Sequence, residues 1–583
     1  MAKTGAERTR VYHARRRQEA RAEGLCIRCF ATRPQGERVN CDACNESAKE
    51  RVLRMRHRNQ QRRRKERAMR DHENAGLEAL KRSAYDEAIF RYQQAAAKAD
   101  SFKDKQKHYF MTALVFTCSS RPHLATPWFE RVVETCIENG EHKLAAHRLR
   151  YLARQASIEL RTRDMIPLLE RAREFVSSKE GSPFEYRTDA MLSNCFTLLG
   201  DYDEANRKFW MKHSPGKRDH AGRIWYRCQR AILRATCGRI EEAFANFELA
   251  LDHAMEYPEK EITKNSYTLA VLDDYAVWAS TLGRIDIARG RYERALFIAR
   301  EERVMWRIPY FSFRLASVLI QMGDYERARL LVTDANTYDS EAPILEFLRS
   351  IANIQLAQAT ENSGPDITVD NSVIELAFRS GEPQRVASIT VLYAQAALRQ
   401  GKMRRARGLI ARGLSVISHA DHAEELLALG AYGSRSDMER SRSILDARRA
   451  LPNNKIATAY LALWEAYAAI RRRANHEAEL HAQQAAEHFE ELGCRHQQVQ
   501  ALQLIGGRVP KAKGLPGNRL TIFGKLDPTL TQREQEVAEL VLQGLTNRSI
   551  SETLSISERT VESHMTSILN RLGLRSRWQL TQL

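Results

Sequence analysis

The stretch LGRIDIARGRYERAL, residues 282 to 296, predicts a tight turn followed by an amphipathic helix. Gly283 occupies the turn, where a backbone without a Cβ is tolerated best. Ala288 and Ala295 recur at helical spacing and are small enough to let a neighbouring helix approach closely. Tyr292 adds a large aromatic side chain to the same helix. The stretch therefore predicts the second helix of a closely packed helix pair.

The same pattern recurs along the middle of the chain. Its other clear copies are SAYDEAIFRYQQAAAKA at 83, LGDYDEANRKFW at 199, CGRIEEAFANFELAL at 237, MGDYERARLLV at 322 and QGKMRRARGLI at 400. Fainter turns lie near Arg121, Arg163, Glu361, Ser434 and Ala474. Together these turns predict eleven helix pairs between residues 71 and 507, with a mean period of about 39 residues, within the range of helical solenoids.

These copies resemble tetratricopeptide repeats, although the period is longer than the roughly 34 residues of that family and nearer to the MalT-type sensor domains. The resemblance implies a superhelical solenoid with a concave surface. We expect that surface to hold a protein partner or a ligand; the alternative is a spacer whose aromatic side chains are all core. Substitution of the turn glycines should damage folding, because their backbone must be permissive. These glycines are Gly200, Gly238, Gly283 and Gly323.

The C-terminal region predicts a helix-turn-helix after a Gly/Pro-rich linker at 508–528. A first helix is expected from Gln532 to Gln543. Thr546 fits the N-cap of a second helix that ends at Leu554. Ser557 fits the N-cap of a third helix, which a helix-turn-helix would place in the DNA major groove.

Residues 529–583 resemble the LuxR-type (NarL/FixJ/GerE) DNA-binding domain over its full length. The residues that carry the resemblance are Leu530, Thr531, Arg533, Glu534, Glu536, Val537, Gly544, Asn547, Ile550, Leu554, Ser557, Thr560, Val561, His564, Ile568, Leu572 and Leu574. The resemblance implies that Glu562, Ser563 and Thr566, in a row with Arg559, meet base edges. It also implies that Asn547, Arg548, Thr560 and His564 lie near phosphates. A fourth helix from Arg575 onward would pair two copies into a homodimer.

The charge of this C-terminal domain is balanced. From residue 529 to the end there are six Arg, six Glu and no Lys. Because phosphate contacts supply much of the affinity for DNA, a neutral domain should bind weakly on its own. Dimerisation or help from elsewhere in the chain is therefore expected, and the alternative is a helical protein-binding module.

Two Cys-x-x-Cys knuckles near the N-terminus predict a structural metal site. Cys26, Cys29, Cys41 and Cys44 can bring four thiolates to a tetrahedral Zn²⁺. A thioredoxin-like role lacks the surrounding βαβ pattern, and a disulfide lacks an oxidising compartment. We therefore expect a small zinc ribbon.

Arginine-rich helices are expected on both sides of the cysteines. Residues 1–70 hold 21 Lys or Arg against 8 Asp or Glu, while the whole chain has a formal charge of +19. Arg51, Arg54, Arg58 and Arg62 would lie along one helix face. A nucleic-acid backbone is their simplest partner. A solvated helix that only keeps the chain soluble is the alternative.

Several functional classes are disfavoured by what the sequence lacks. There is no phosphate-binding Gly-x-x-x-x-Gly-Lys-[Ser/Thr] loop, and the N-terminus is not the alternating sequence of a receiver domain. No catalytic cluster stands out, so we do not expect an enzyme. No apolar run is long enough for a membrane span, and a cytoplasmic, nucleoid-associated bacterial protein is expected.

The sequence thus predicts an all-α protein with four parts. These are a basic zinc-ribbon-like segment at 1–70, a helical repeat domain at 71–507, the linker, and a four-helix LuxR-type domain at 529–583. The expected function is sequence-specific regulation of transcription on double-stranded DNA, with the repeats sensing a protein or ligand. The alternatives are a protein-interaction scaffold and an RNA-binding protein led by the zinc and arginine region.

Overall fold

The computed structural model describes residues 5–23, 25–29, 40–176, 183–209, 219–256, 263–360, 370–419, 421–504, 531–542 and 545–571. Within these ranges the regular structure is helical and no strand occurs, so the predicted all-α class is confirmed. None of the helices in these ranges combines the length and the apolar character that a membrane span requires.

The chain divides into two compact units, Met1–His108 and Tyr109–Leu583. The first unit contains the helices α1 (Gly5–Ala22), α2 (Asp42–Lys81) and α3 (Tyr85–Lys98). Helix α2 is 40 residues long and continues across the predicted domain boundary at 70/71. Its last turns pack against α3, where Met69 contacts the buried Ala95. The basic segment and the first repeat therefore share one helix.

The helices that follow continue the pairing. They are α4 (Phe102–Cys118), α5 (Thr126–Glu138), α6 (His142–Ile158), α7 (Thr162–Glu174), α8 (Pro183–Leu198), α9 (Tyr202–Phe209), α10 (His220–Thr236), α11 (Ile240–Met255), α12 (Thr263–Thr281), α13 (Ile285–Glu301), α14 (Arg307–Met322), α15 (Tyr325–Asn336), α16 (Pro343–Thr360), α17 (Asn371–Ser380), α18 (Pro383–Arg399), α19 (Met403–Leu414), α20 (Glu424–Leu429), α21 (Arg435–Arg449), α22 (Lys455–Arg472), α23 (Asn475–Glu491), α24 (Arg495–Gln503), α25 (Gln532–Leu542), α26 (Asn547–Leu554) and α27 (Glu558–Arg571). Within the described residues, α2 to α23 form eleven successive pairs, as predicted.

The turn glycines adopt the backbone conformation that the sequence predicts. Gly200 has φ +79° and Gly283 has φ +75°, in the left-handed region that side chains with a Cβ disfavour. Gly200 also lies in close contact with another repeat, since a Cβ there would come within 2.8 Å of Asp421 Oδ1 and 3.1 Å of Pro383 Cγ. A substitution at Gly200 is therefore both strained and sterically blocked.

Repeats that are far apart in sequence contact one another. The hydroxyl of Tyr202 donates to Asp421 Oδ1 at 3.2 Å. The Trp306 indole donates to the Thr117 carbonyl at 2.6 Å, and Ser340 donates to the Ser120 carbonyl at 2.6 Å. These partners are 189 to 220 positions apart. About five helix pairs therefore bring the chain back onto itself.

The contacts between distant repeats shape the space that the repeats enclose on their inner side. The repeats line a cavity of about 430 Å³. Its walls come mainly from the first helix of successive pairs, from α6 through α22, together with α13 and α24. The predicted concave surface gave no size for this space, because curvature accumulates from small rotations between repeats, which the pattern within one repeat does not specify.

Candidate DNA-binding site

Three short helices, α25 to α27, enclose a small apolar core. Val537 and Val541 of α25 pack with Ile550 of α26 and with Val561 and Ile568 of α27. All five side chains are at most 1% exposed. The core fixes the rotation of α27, and with it the side chains that α27 presents to solvent.

Side-chain caps begin α26 and α27, and a left-handed residue ends α26. Thr546 Oγ1 accepts from the Ser549 backbone N–H at 3.1 Å, and Ser557 Oγ accepts from that of Thr560 at 3.1 Å. Both residues are the N-caps that the sequence predicts. Ser555 takes a left-handed conformation with φ +52° and ends α26.

Arg533 braces this turn from the first helix. Its guanidinium donates to the Leu554 carbonyl at 2.6 Å and pairs with Glu536 at 2.6 Å. The bond to Leu554 satisfies a carbonyl that the end of α26 leaves without an intrahelical partner. Sequence reasoning recognised Arg533 through the resemblance but did not identify this positioning role, which depends on a contact between two helices.

The outward face of α27 carries the predicted base-reading row. Glu562, Ser563 and Thr566 are exposed, whereas Val561 and Met565 of the same helix are buried. The two rows thus separate a core face from a polar face, as the sequence predicts. Their placement leaves carboxylate and hydroxyl groups free to approach a duplex.

Two threonine hydroxyls make bonds within the domain. Thr566 Oγ1 donates to the Glu562 carbonyl at 2.9 Å, so its lone pairs and methyl group remain for another molecule. Thr560 Oγ1 lies 2.7 Å from Ser557 Oγ and belongs to the cap of α27. Thr560 is therefore tied to the local structure more closely than the sequence indicated.

The remaining predicted contacts lie around the same surface. Arg559 is exposed and makes no ion pair within the described residues. Arg548 is exposed at the start of α26, where its guanidinium lies 3.3 Å from Glu552. Asn547 and His564 are half-buried. The predicted fourth helix, from Arg575, and Gln543 and Gly544 lie outside the described residues.

Comparison with known sequences identifies this region. Residues 528–583 match the profile of the family described as bacterial regulatory proteins, luxR family. The spore germination protein GerE of Bacillus subtilis is 44% identical over 52 residues, which are 9% of this chain and 70% of that protein. The chain belongs to the LuxR family.

Two other relatives match this chain over stretches of similar length. A protein of Mycobacterium tuberculosis (strain CDC 1551 / Oshkosh) that is described as an HTH-type transcriptional regulator is 46% identical over 58 residues. Those residues are 10% of this chain and 6% of the relative. The oxygen regulatory protein NreC of Staphylococcus aureus is 42% identical over 53 residues, 9% of this chain and 24% of that protein. The similarity therefore covers the C-terminal domain and leaves the repeats aside.

Two solved structures also align with more than half of the chain. A Rap protein complexed with competence and sporulation factor aligns with a TM-score of 0.32 and 13% identity, covering 63% of this chain and 97% of that one. The Cut9–Hcn1 hetero-tetramer aligns with a TM-score of 0.35 and 12% identity, covering 88% and 96%.

Besides its LuxR domain, the chain carries a cluster of four cysteines that could hold a metal ion. The sulfur atoms of Cys26, Cys29, Cys41 and Cys44 all lie within 4.8 Å of one another. Cys29 Sγ and Cys41 Sγ are 3.8 Å apart, and a tetrahedral Zn–S₄ centre has S···S edges of about 3.8 Å. The donor set and its geometry therefore fit zinc.

The surroundings shift the pKa values of two cluster thiols in opposite directions: the hydrogen bond with Cys41 raises the pKa of Cys44 to about 12, whereas the pKa of Cys26 is lowered. Burial opposes ionisation of Cys26, yet backbone N–H groups of Cys29, Cys41 and Arg28 lower its pKa. Cys41 and Cys44 lie at the start of α2, where the helix dipole stabilises negative charge. The second knuckle therefore leads directly into a helix.

The helix α2 that begins at this cluster is strongly basic. Its residues 51–67 are exposed on every side, so they are solvated rather than packed together. Arg54 and Arg62 pair with glutamates of the same helix, Glu50 at 3.2 Å and Glu66 at 3.0 Å. The following arginines make no ion pair within the described residues: Arg51, Arg56, Arg58, Arg63, Arg64 and Arg67. These positive charges are free to meet an anionic partner.

Proposed function

We propose that this LuxR-family chain is a bacterial transcription regulator that binds specific sites on double-stranded DNA and whose repeat region senses a ligand or a protein. The observation that carries the proposal is the division of α27 into a buried apolar row and an exposed polar row. A helix held in this way can enter a major groove while its core face stays covered.

Within this proposal, each polar residue of α27 has a role. Ser563 and Thr566 contact base edges, and Glu562 accepts a hydrogen bond from a cytosine amino group. Because its hydroxyl proton is already donated to a carbonyl, Thr566 acts as an acceptor or packs its methyl group against thymine. Arg559 lies in the same exposed row.

Backbone contacts position the domain. We assign Asn547, Arg548, Thr560 and His564 to the vicinity of the phosphates, where they set register without reading sequence. Two copies joined through the predicted fourth helix would double these contacts and match a two-fold operator.

The N-terminal unit supplements this affinity. A zinc ion held by the four cysteines would stabilise the start of α2, since structural zinc contributes folding free energy that a short segment lacks. The exposed arginines of α2 would then attract the DNA backbone without selecting a sequence.

The proposal is tested by selecting bound duplexes from a random library with the full-length protein at near-physiological salt. Enrichment of one motif with two-fold symmetry is the expected result, and a light-scattering mass on the selected duplex should show two copies. Binding without any enriched motif would contradict a sequence-specific regulator. A preference for structured RNA over every duplex would instead support the N-terminal unit as the nucleic-acid-binding part.

A further inference from the structure

The cavity inside the repeats carries charged groups that lack partners. Asp273 and Asp274 of α12 line it, together with Arg314 of α14 and Gln355 of α16. Asp273 Oδ1, Arg314 Nε and Gln355 Oε1 are fully buried and make no hydrogen bond within the described residues. Buried polar atoms without partners are costly, so their concentration around one space indicates that another molecule completes them.

The arrangement on α12 and α14 is held by a tyrosine. Tyr310 donates from its hydroxyl to Asp273 Oδ2 at 2.6 Å, and Arg314 Nη2 lies 3.4 Å from the same hydroxyl. This leaves the other oxygen of Asp273 unpartnered. Asp274 is half-buried and makes no ion pair in the part of the chain that the structure describes.

The other carboxylates of the cavity differ in whether a cation neutralises them. Glu382 pairs with Arg385 at 2.5 Å, and Glu424 pairs with Arg448 at 3.2 Å. Glu425 accepts from the uncharged amide of Gln395 at 3.0 Å and makes no ion pair within the described residues. Asp273, Asp274 and Glu425 therefore make no ion pair within the described residues, although Arg307, Arg154 and Arg314 attract the Asp274 carboxylate at longer range.

We propose that this cavity binds a small organic cation, whose ammonium or guanidinium group contacts Asp273 and Asp274. The inference rests on the sensing role proposed above and names the chemical class that the repeats take. The volume of about 430 Å³ falls within the range of roughly 300–1,000 Å³ that is usual for small-molecule sites.

Electrostatics support this class of ligand. Burial raises the pKa of Asp274 to about 7, and the neighbouring Asp273 adds to the rise. Burial likewise raises the pKa of Glu425. Both shifts mean that the ionised carboxylate is under-stabilised as the cavity stands, and a bound cation would supply the missing charge.

The test uses isothermal calorimetry on the full-length protein without DNA. The probes are putrescine, agmatine and L-arginine. Their counterparts are 1,4-butanediol, which carries no charge, and L-citrulline, in which a neutral urea replaces the guanidinium of L-arginine. At least one cation should bind with one molecule per chain, while its counterpart should not bind at millimolar concentration. In the Asp273→Asn, Asp274→Asn double variant the affinity should fall at least tenfold.

The matched control is Asp286→Asn, which removes an exposed carboxylate of α13 outside the cavity. It should keep the wild-type affinity. Failure of every cation to bind, or equal loss in both variants, would overturn the inference. DNA affinity is measured separately with and without the cation, so a cation that binds without altering DNA affinity leaves the inference standing and contradicts the sensing role.

Discussion

The Thr162 hydroxyl donates a 2.6 Å hydrogen bond to the Glu382 carboxylate, although 220 positions separate the two residues. Both side chains are buried. Glu382 also accepts a hydrogen bond from Arg385, in the first turn of α18, and lines the cavity. The same residue therefore belongs to a contact between distant repeats and to the wall of the candidate ligand site. A ligand in the cavity would therefore lie beside a contact that joins distant repeats.

The contact between distant repeats can be tested at a turn glycine. Gly200→Ala should lower the free energy of unfolding by about 2–4 kcal/mol, because the left-handed backbone is strained and the new Cβ meets Asp421. Gly140 has φ +74° and no heavy atom within 4 Å of an added Cβ, so Gly140→Ala isolates the backbone cost, about 1 kcal/mol. Equal losses in denaturant unfolding would show that closure contributes nothing at Gly200.

The repeat pattern itself was predictable, whereas closure was not. Glycines such as Gly283 and small residues such as Ala288 mark each pair locally, so the eleven pairs and their turns follow from the sequence. The same holds for the caps Thr546 and Ser557, which lie next to the helices they begin. The bond from Thr162 to Glu382 depends on rotations summed over about five pairs, and no local pattern encodes that sum.

The cavity likewise could not be predicted from the sequence. The adjacent Asp273 and Asp274 within an otherwise apolar helix are an unusual pair, and that was the available signal. Their meaning depends on Arg314 and Gln355, which other helices bring to the same space. The polar row of α27 was easier to predict from the sequence, since a single helix carries both the polar row and the buried apolar row.

The stability of the repeats should depend on pH through Asp274. Its pKa is about 7 in the folded state, against an ordinary value of 3.8, because burial and Asp273 outweigh the attraction of Arg307, Arg154 and Arg314. Between these values the folded chain keeps a proton that the unfolded chain has lost, so stability falls as pH rises through this window.

Asp274→Asn removes that penalty. The free energy of unfolding should rise by about 2 kcal/mol near pH 8 and stay nearly unchanged near pH 4. Thermal unfolding of the variant and of the wild type across this pH range measures the effect, with Asp286→Asn as the exposed control. A stabilisation that is independent of pH would contradict the assigned ionisation.

The cysteine cluster predicts one zinc ion per chain. Cys26→Ser, Cys41→Ser should abolish bound zinc in elemental analysis, and hydrogen exchange should increase at the start of α2 because the metal no longer holds it. The exposed Cys237 lies outside the cluster, so Cys237→Ser should retain the metal. Equal zinc content in the two variants would exclude the cluster as its site.

The exposed arginines of α2 should strengthen DNA binding on every sequence. Since α2 continues into the first repeat, substitution is a cleaner test than deletion of residues 1–70. Arg63→Gln, Arg64→Gln should weaken binding to specific and scrambled duplexes alike. The slope of log affinity against log salt should become shallower by up to about 2.

The control for this experiment is another adjacent pair of exposed arginines, Arg404 and Arg405 at the start of α19. Substitution of both by glutamine removes the same charge from the repeat region. If both double variants changed the salt slope equally, long-range charge rather than a contact by α2 would explain the effect.

The most direct measurement is the ratio of affinities for a selected duplex and its scrambled version, compared between Ser563→Ala, Thr566→Ala and the wild type. Thr553→Ala is the matched control, since the Thr553 hydroxyl is exposed and donates to the Ser549 carbonyl at 2.7 Å, as Thr566 donates to that of Glu562. The ratio should fall at least tenfold in the double variant and remain unchanged in the control, because each lost base contact costs about 1–3 kcal/mol. An unchanged ratio in the double variant would contradict sequence reading by α27.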